Sequence, residues 1–588
     1  MEGSPPISVR AQASGLCYRY ADDEGAAEAL HELSFDWRKG EVLGLIGPDG
    51  AGKTTLLRLM AGLLRPSAGE LRLLGLDPVR DHARLSRQVG YMPQRFSLYE
   101  DLTVQENLRL CASLRGVPRR EALAQEPELL EAAGLAPFRS RLAGKLSGGM
   151  RQKLALIATL AGRPPLLLLD EPGVGVDPLS RRELWGLVNG SRGAGRSVIW
   201  STAYLDEAAR CDRVCLLHRG RLRFLGVPGD LLRPLRGRVL TLELAPSERL
   251  RMLRVLAAHP AVRDAMIEGS RLRLLLRRGA TAADVSGGPG VEGPAGEALL
   301  RLRPAEPHFE EAFIDLMDEQ DGGPSVKAPP SLAAAAEPSE EVVIRTVGLT
   351  RRFGSFVATE DLNLAVRRGE IFGLLGANGA GKTTAFRMMC GLLRPSSGRA
   401  EILGIDLARD ARRARAHLGY MAQKFSLYGN LTVEQNLRFF ASVYGLKGEA
   451  AERRIAELAE NYELTSRLRC GAASLPQGLK QRLSMACAVL HRPEFLFLDE
   501  PTSGVDPFAR RAFWHEMNAM AAQGVTIIVT THFMDEAQYM HRLVIMNRGR
   551  VIAEGEPEAL KAAAASADCP SPTMEEAFIR YIEREGGD

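Results

Sequence analysis

Gly376-Ala377-Asn378-Gly379-Ala380-Gly381-Lys382-Thr383-Thr384 has the residue types and spacing to hold a chain of phosphates. It follows the apolar run 370–375 and opens a helical pattern over 384–389, the strand–loop–helix context that gives G-x-x-x-x-G-K-[ST] its meaning. Glycines let the backbone wrap so that successive N–H groups converge on one anion, and the helix start adds its positive dipole end. Lys382 reaches the β- and γ-phosphates, and the Thr383 hydroxyl suits Mg²⁺. An earlier loop, Gly47-Pro48-Asp49-Gly50-Ala51-Gly52-Lys53-Thr54-Thr55, repeats the arrangement, with Lys53 and Lys382 separated by 329 positions. Downstream of each loop an acidic pair ends an apolar run, Asp170-Glu171 and Asp499-Glu500. The Asp holds Mg²⁺ and the Glu polarises an attacking water, which is the chemistry of nucleoside triphosphate hydrolysis.

These residues must be delivered by strands and loops, and the offset of 329 shows how. It relates Tyr91–Tyr99 to Tyr420–Tyr428 and Leu168–Pro172 to Phe497–Pro501, so the chain is two copies of one α/β nucleotide-binding domain. The runs before Asp170 and Asp499 read as buried parallel strands. A length of 588 residues exceeds one core, which agrees with a tandem. The net charge of +4 is small for that length and gives no support for a dedicated nucleic-acid binder. Eight scattered cysteines without paired C-x-x-C sets indicate neither zinc nor a disulfide framework, and the compartment reads as reducing cytosol. No run approaches bilayer length and the N-terminus carries no signal pattern, so any membrane role is expected to come through partners.

Between loop and acid pair the first copy carries Leu146-Ser147-Gly148-Gly149-Met150-Arg151-Gln152. This resembles the LSGGQ signature of ABC-type ATPases, and the resemblance covers both copies nearly end to end. It implies that Gln94 and Gln423 are the glutamines at the magnesium site, Gln423 also serving catalysis. Tyr20 and Phe353 match the aromatic that stacks on adenine, and 175–178 and 504–507 match the D-loops. It further implies that Ser147, Gly148 and Gly149 bind the γ-phosphate of ATP held by the opposite domain, and that His532 is the switch histidine. The two copies depart from the pattern at different points. Pro476-Gln477-Gly478 stands where the second copy needs the clamp, and Ala203 stands where the first needs a histidine. With head-to-tail pairing, both losses fall in one composite site. The site of Lys382, Asp499, Glu500 and His532 with Ser147 is complete, while that of Lys53, Asp170, Glu171 and Ala203 is degenerate.

Residues from about 236 to 303 are extra to one copy and hold strand-like 239–244, helix-like 247–259 and strand-like 272–276, a small α/β accessory unit. Phe309–Ile314 recurs as Met574–Ile579 and resembles the tail helix of ABC-2-type exporter ATPases. The expected domains are 5–235, the accessory unit and tail helix 236–318, a Pro/Gly/Ala-rich linker 319–341, 342–560, and a tail helix 561–588. The resemblance implies a tandem ATP-binding subunit of a multidrug-type ABC-2 exporter. Such a subunit uses ATP and Mg²⁺, pairs its halves within one chain, and docks peripherally at the cytoplasmic face of the inner membrane. Its partners would be separate membrane permeases, with or without a periplasmic adaptor, meeting segments 95–107 and 424–436. A soluble tandem ABC translation factor and a tandem sugar-importer ATPase are the alternatives. The connector, broken at Ser286-Gly287-Gly288-Pro289-Gly290, lacks the long charged arm of the former, and the tail segments disfavour the latter.

Overall fold

A computed structural model describes residues 9–20, 28–94, 98–192, 195–244, 246–268, 271–286, 299, 301–316, 339–423, 426–505 and 507–586. The chain divides into two units.

The first unit is built from strands β1 (Val9–Arg19), β2 (Glu28–Arg38), β3 (Val42–Ile46), β4 (Ala68–Leu73), β5 (Val89–Met92), β6 (Leu166–Asp170), β7 (Ser197–Thr202), β8 (Arg213–His218) and β9 (Arg221–Gly226). Helix α1 (Lys53–Met60) follows the phosphate loop, α2 (Val104–Leu114) and α3 (Gly148–Leu160) form a helical layer, and α4 (Pro178–Arg192) follows the acid pair. The main sheet has the order β5-β6-β7-β3-β8-β9, parallel apart from the antiparallel edge β9. A smaller antiparallel sheet, β2-β1-β4, stands beside it. Every residue of β3, β6 and β7 is buried, so these strands are covered on both faces rather than alternating between core and solvent. Helix α2 starts where it does because Thr103 accepts from the Glu106 N–H and Glu106 accepts from the Thr103 N–H, a reciprocal cap.

Residues 237–306, 339–505 and 509–586 lie in the second unit. The accessory strands β10 (Val239–Glu243), β11 (Val262–Glu268), β12 (Arg271–Leu276) and β13 (Arg303–Pro304) make an antiparallel sheet in the order β11-β12-β10-β13, with helix α5 (Pro246–Ala257) against it. Leu242, Leu256, Leu272, Leu274 and Val285 form its own fully buried core. The following helix α6 (Phe309–Leu316) belongs instead to the first unit, where Phe313 packs with Ile46, Leu205 and Leu216.

The second domain repeats the plan of the first. Its strands are β14 (Ser339–Phe353), β15 (Phe356–Arg368), β16 (Ile371–Gly376), β17 (Ser397–Ile402), β18 (Ile405–Asp406), β19 (Leu418–Met421), β20 (Phe495–Asp499), β21 (Thr526–Thr531), β22 (Arg542–Asn547) and β23 (Arg550–Gly555). Its helices include α7 (Lys382–Met389), α8 (Val433–Val443), α9 (Gln477–Ala488), α10 (Pro507–Ala521) and α11 (Met574–Gly586). The main sheet order is β19-β20-β21-β16-β22-β23.

Three expected boundaries shift. The segment 236–318 does not hold together, because its sheet groups with the second domain and its tail helix with the first. Residues 339–341, expected in the linker, begin β14 by pairing with β15; the rest of the linker, 319–338, lies outside the described residues. A helix over Pro557–Ala564 straddles the boundary expected at 560.

Candidate functional site

Each phosphate loop is a tight backbone turn between a buried strand and a helix. At Gly47 (φ 154°) an added Cβ would sit 2.2 Å from the Leu217 carbonyl oxygen, and at Gly381 (φ 97°) 2.4 Å from that of Ala358. Only glycine lets the neighbouring strand approach so closely. Lys53 Nζ donates to the Gly47 and Pro48 carbonyls at 2.7 and 3.2 Å, and Lys382 Nζ to those of Gly376 and Ala377 at 2.7 and 3.0 Å. Both ammonium groups are thus curled over their own loops, next to the acidic pairs.

In the first domain Lys53 Nζ lies 3.3 Å from Glu171 Oε1, and Gln94 Nε2 donates to Glu171 Oε2 at 2.7 Å. Thr54 and Ser201 both donate to Asp170 Oδ1 at 3.2 Å. Asp170 Oδ2 is buried and has no hydrogen-bond partner among the described residues. Burial pushes the Asp170 carboxyl up to about 6, the Thr54 hydrogen bond opposing and the Glu171 charge adding to it. A buried, half-satisfied carboxylate beside a threonine hydroxyl and an open phosphate loop suits Mg²⁺, a hard cation that takes oxygen ligands. Thr54 and Asp170 would hold it.

The second domain repeats the set. Thr383 donates to Asp499 Oδ1 at 3.4 Å, Thr530 also donates to Asp499, and burial raises the Asp499 carboxyl. Gln423 Nε2 donates to Glu500 Oε2 at 2.7 Å. Here, however, His532 Nδ1 lies 3.1 Å from Glu500 Oε2, and Lys382 Nζ stands back at 3.9 Å from Oε1. Burial alone would raise Glu500; the His532 hydrogen bond and charge, Lys382 and Gln423 outweigh it and bring the carboxyl down to about 2. His532 is 1% exposed, and its Nε2 has no hydrogen-bond partner among the described residues. At the equivalent place Ala203 offers no donor, and Glu171 leans on Lys53 instead.

The signature residues differ as their types require. Ser147 caps α3, its Oγ accepting from the Met150 N–H at 3.3 Å, and Gly148 opens the helix. Pro476 stands at the cap of α9 with no side-chain hydrogen bond. Phe353 is 47% exposed with the Arg351 guanidinium over its ring at 4.6 Å. Tyr20 is turned inward, its hydroxyl 3.1 Å from Thr55 Oγ1. Gln94 and Gln423, expected at the metal, direct their amide N–H groups to the catalytic-type glutamates.

Three features were not foreseen. Glu171 and Glu500 both take left-handed backbone, φ 50° and 48°, a strained state for a non-glycine residue that turns each carboxylate back over its loop. Ser201 and Thr530 brace the metal-side aspartates; hydroxyl residues ending the wholly buried strands β7 and β21 were the available signal. Buried Glu536 accepts from Thr531 Oγ1 at 2.7 Å and from Thr502 Oγ1, bracing the turns around His532 and Glu500.

The ABC transporter family model matches residues 30–174 and 359–503. The probable multidrug ABC transporter ATP-binding protein YbhF of Escherichia coli is 51% identical over 558 residues, covering 94% of this chain and 95% of that protein. This chain belongs to the ABC transporter ATP-binding proteins. The Nod factor export ATP-binding protein I of Bradyrhizobium diazoefficiens is 40% identical over 220 residues, covering 37% of this chain and 72% of that one. A solved ATP-binding subunit of an ABC transporter is 31% identical over 41% of this chain and 99% of its own, with a TM-score of 0.38. Among the described residues no helix is long and apolar enough to cross a membrane.

Proposed function

We propose that the chain is the ATP-hydrolysing motor subunit of an ABC-2-type export complex, moving drugs or other amphipathic compounds through separate permeases. The observation that carries the reading is the Glu500 carboxylate, kept ionised between His532, Lys382 and Gln423 beside Asp499. A carboxylate held ionised there accepts a hydrogen bond from the attacking water and orients it, while His532 Nε2 and the Lys382 ammonium stand beside it at fixed positions. Mg²⁺, held by Thr383 and Asp499, neutralises charge developing on the phosphate oxygens. Ser147, Gly148 and Gly149 complete this site when the halves pair head to tail, whereas Pro476 and Ala203 leave the other site able to hold ATP but poor at hydrolysis. Because each nucleotide contacts both halves only in the paired state, ATP shifts the population toward closure and hydrolysis releases it.

Permease contact lies beside the Gln94 and Gln423 segments at the cytoplasmic face of the membrane, with or without a periplasmic adaptor. Residues 95–97 and 424–425 lie outside the described residues. Tyr428 and Phe439, exposed and edge-to-face at 4.8 Å, and exposed Val443 offer an apolar surface there, as Tyr99 and Leu114 do in the first domain. Co-expression with ABC-2 permeases, detergent extraction and identification of co-purifying proteins tests this. Co-purifying permeases are expected; co-sedimentation with ribosomes instead would favour a translation factor.

A further inference from the structure

The accessory sheet packs on the second domain at the two elements that follow Glu500 and His532 in the chain, α10 and the 3₁₀ segment Met534–Tyr539. Strand β11 lays Asp264 against α10, where Arg511 donates to Oδ2 and His515 Nε2 lies 3.6 Å from Oδ1. All three side chains are buried. Met266, on the same strand face two residues on, joins the core that holds Trp514, Met517 and Tyr539. The strand also touches the 3₁₀ segment Met534–Tyr539, which begins two residues after His532. Burial acts to raise the Asp264 carboxyl, and Arg511 and His515 hold it far below the usual carboxylate range.

Arg510, the next residue along α10 and so turned about 100° from Arg511, meets a different set of side chains. Its Nε is 3.9 Å from Glu536 Oε1, and its guanidinium lies over the Phe533 ring at 5.2 Å. Glu536 is the carboxylate that braces Thr531, next to His532, and Thr502, two residues past Glu500. One helix therefore joins Asp264 to both catalytic-type side chains. The first domain lacks the anchor: Gly186, with open space where a Cβ would be, stands at the position of His515, and Gly173 at that of Thr502. A buried ion cluster is a poor source of stability, since apolar packing of the same shape does as well. Its use here is to fix α10 in one place on the domain that has the histidine.

We propose that Asp264 is a positioning residue for hydrolysis by the second domain: through Arg511 and His515 the accessory unit sets α10, and through Arg510 and Glu536 it sets Glu500 and His532. This rests on Glu500 and His532 being the working pair. The accessory unit is then a part of the catalytic apparatus, contributed from outside the nucleotide-binding fold, and any ligand or partner that displaces it would slow turnover.

The test uses the full chain and compares Asp264→Asn, Arg511→Gln and the double variant by phosphate release, with thermal melting and ATP-binding stoichiometry measured alongside. Each single change should lower kcat by roughly three- to thirtyfold, the span of such couplings. The KM for ATP should stay within about twofold, and the double variant should be no slower than the slower single. Wild-type kcat in a folded Asp264→Asn chain would overturn the proposal, whatever its melting temperature. Should that chain not fold, Arg511→Lys, which keeps the charge and loses the fork, takes its place: reduced kcat supports the proposal and unchanged kcat overturns it. Glu500→Gln run in parallel separates the two layers, because full turnover there refutes the working pair itself.

Discussion

His532→Ala removes the side chain that most separates the second site from the first, where Ala203 stands. Glu500 is held at about 2 against an ordinary value of 4.5, a displacement that favours its ionised form by about 3 kcal/mol. His532 contributes the largest share of that lowering, ahead of Lys382 and Gln423. Without it, Glu500 keeps only the partners that Glu171 has. The carboxylate should then lean on Lys382, closing the present 3.9 Å toward the 3.3 Å seen between Lys53 and Glu171. The carboxyl rises once its main lowering partner is gone, so proton affinity is not what the site loses; it loses the carboxylate's fixed place and the unpartnered Nε2. Removing one preorganised donor typically costs on the order of 100-fold in rate. Phosphate release at saturating ATP should fall by about that factor while bound nucleotide is unchanged. A rate within about threefold of the unsubstituted chain would refute the reasoning.

Ser147→Ala should slow turnover far more than Gln477→Ala, because only Ser147 caps a signature helix; equal losses would sink the assignment. Lys382→Ala should abolish turnover, and full phosphate release by that chain would count against the working site. Burial lowers His491 to about 4 from 6.5, where it stacks on Tyr444 at 3.8 Å. Its folded value is depressed, so the unfolded chain takes up the proton first and stability is lost as pH falls from 6.5 to 4. Allowing for its partly exposed edge, the loss is about 2 kcal/mol. His491→Gln should therefore shrink the drop in melting temperature between pH 7 and pH 4.5 by roughly 5 °C, and an unchanged drop would contradict it.

The phosphate loops, acid pairs and signature helix were legible because their chemistry demands particular residue types at short, contiguous spacing. Pro476 at a helix cap announces a missing hydroxyl and N–H by type alone. Strand β11 was not legible. Its Asp264 reads as a breaker of a strand interior, and the partner that makes it tolerable, Arg511, stands 247 positions away. For the same reason the sequence order places the accessory sheet between the domains without saying which one it packs against. The left-handed glutamates and the Glu536 brace escape too, since backbone strain and buried carboxylate networks depend on neighbours brought in by the fold.

The central claim is that the two ATP sites are unequal, and phosphate release by Glu500→Gln beside Glu171→Gln tests it most directly. Both glutamates follow a metal-side aspartate and both accept from a glutamine at 2.7 Å, yet only Glu500 has a histidine at 3.1 Å. Glu500→Gln should nearly abolish steady-state turnover with two nucleotides still bound, while Glu171→Gln should keep most of it. Equal losses from the two substitutions would contradict the account.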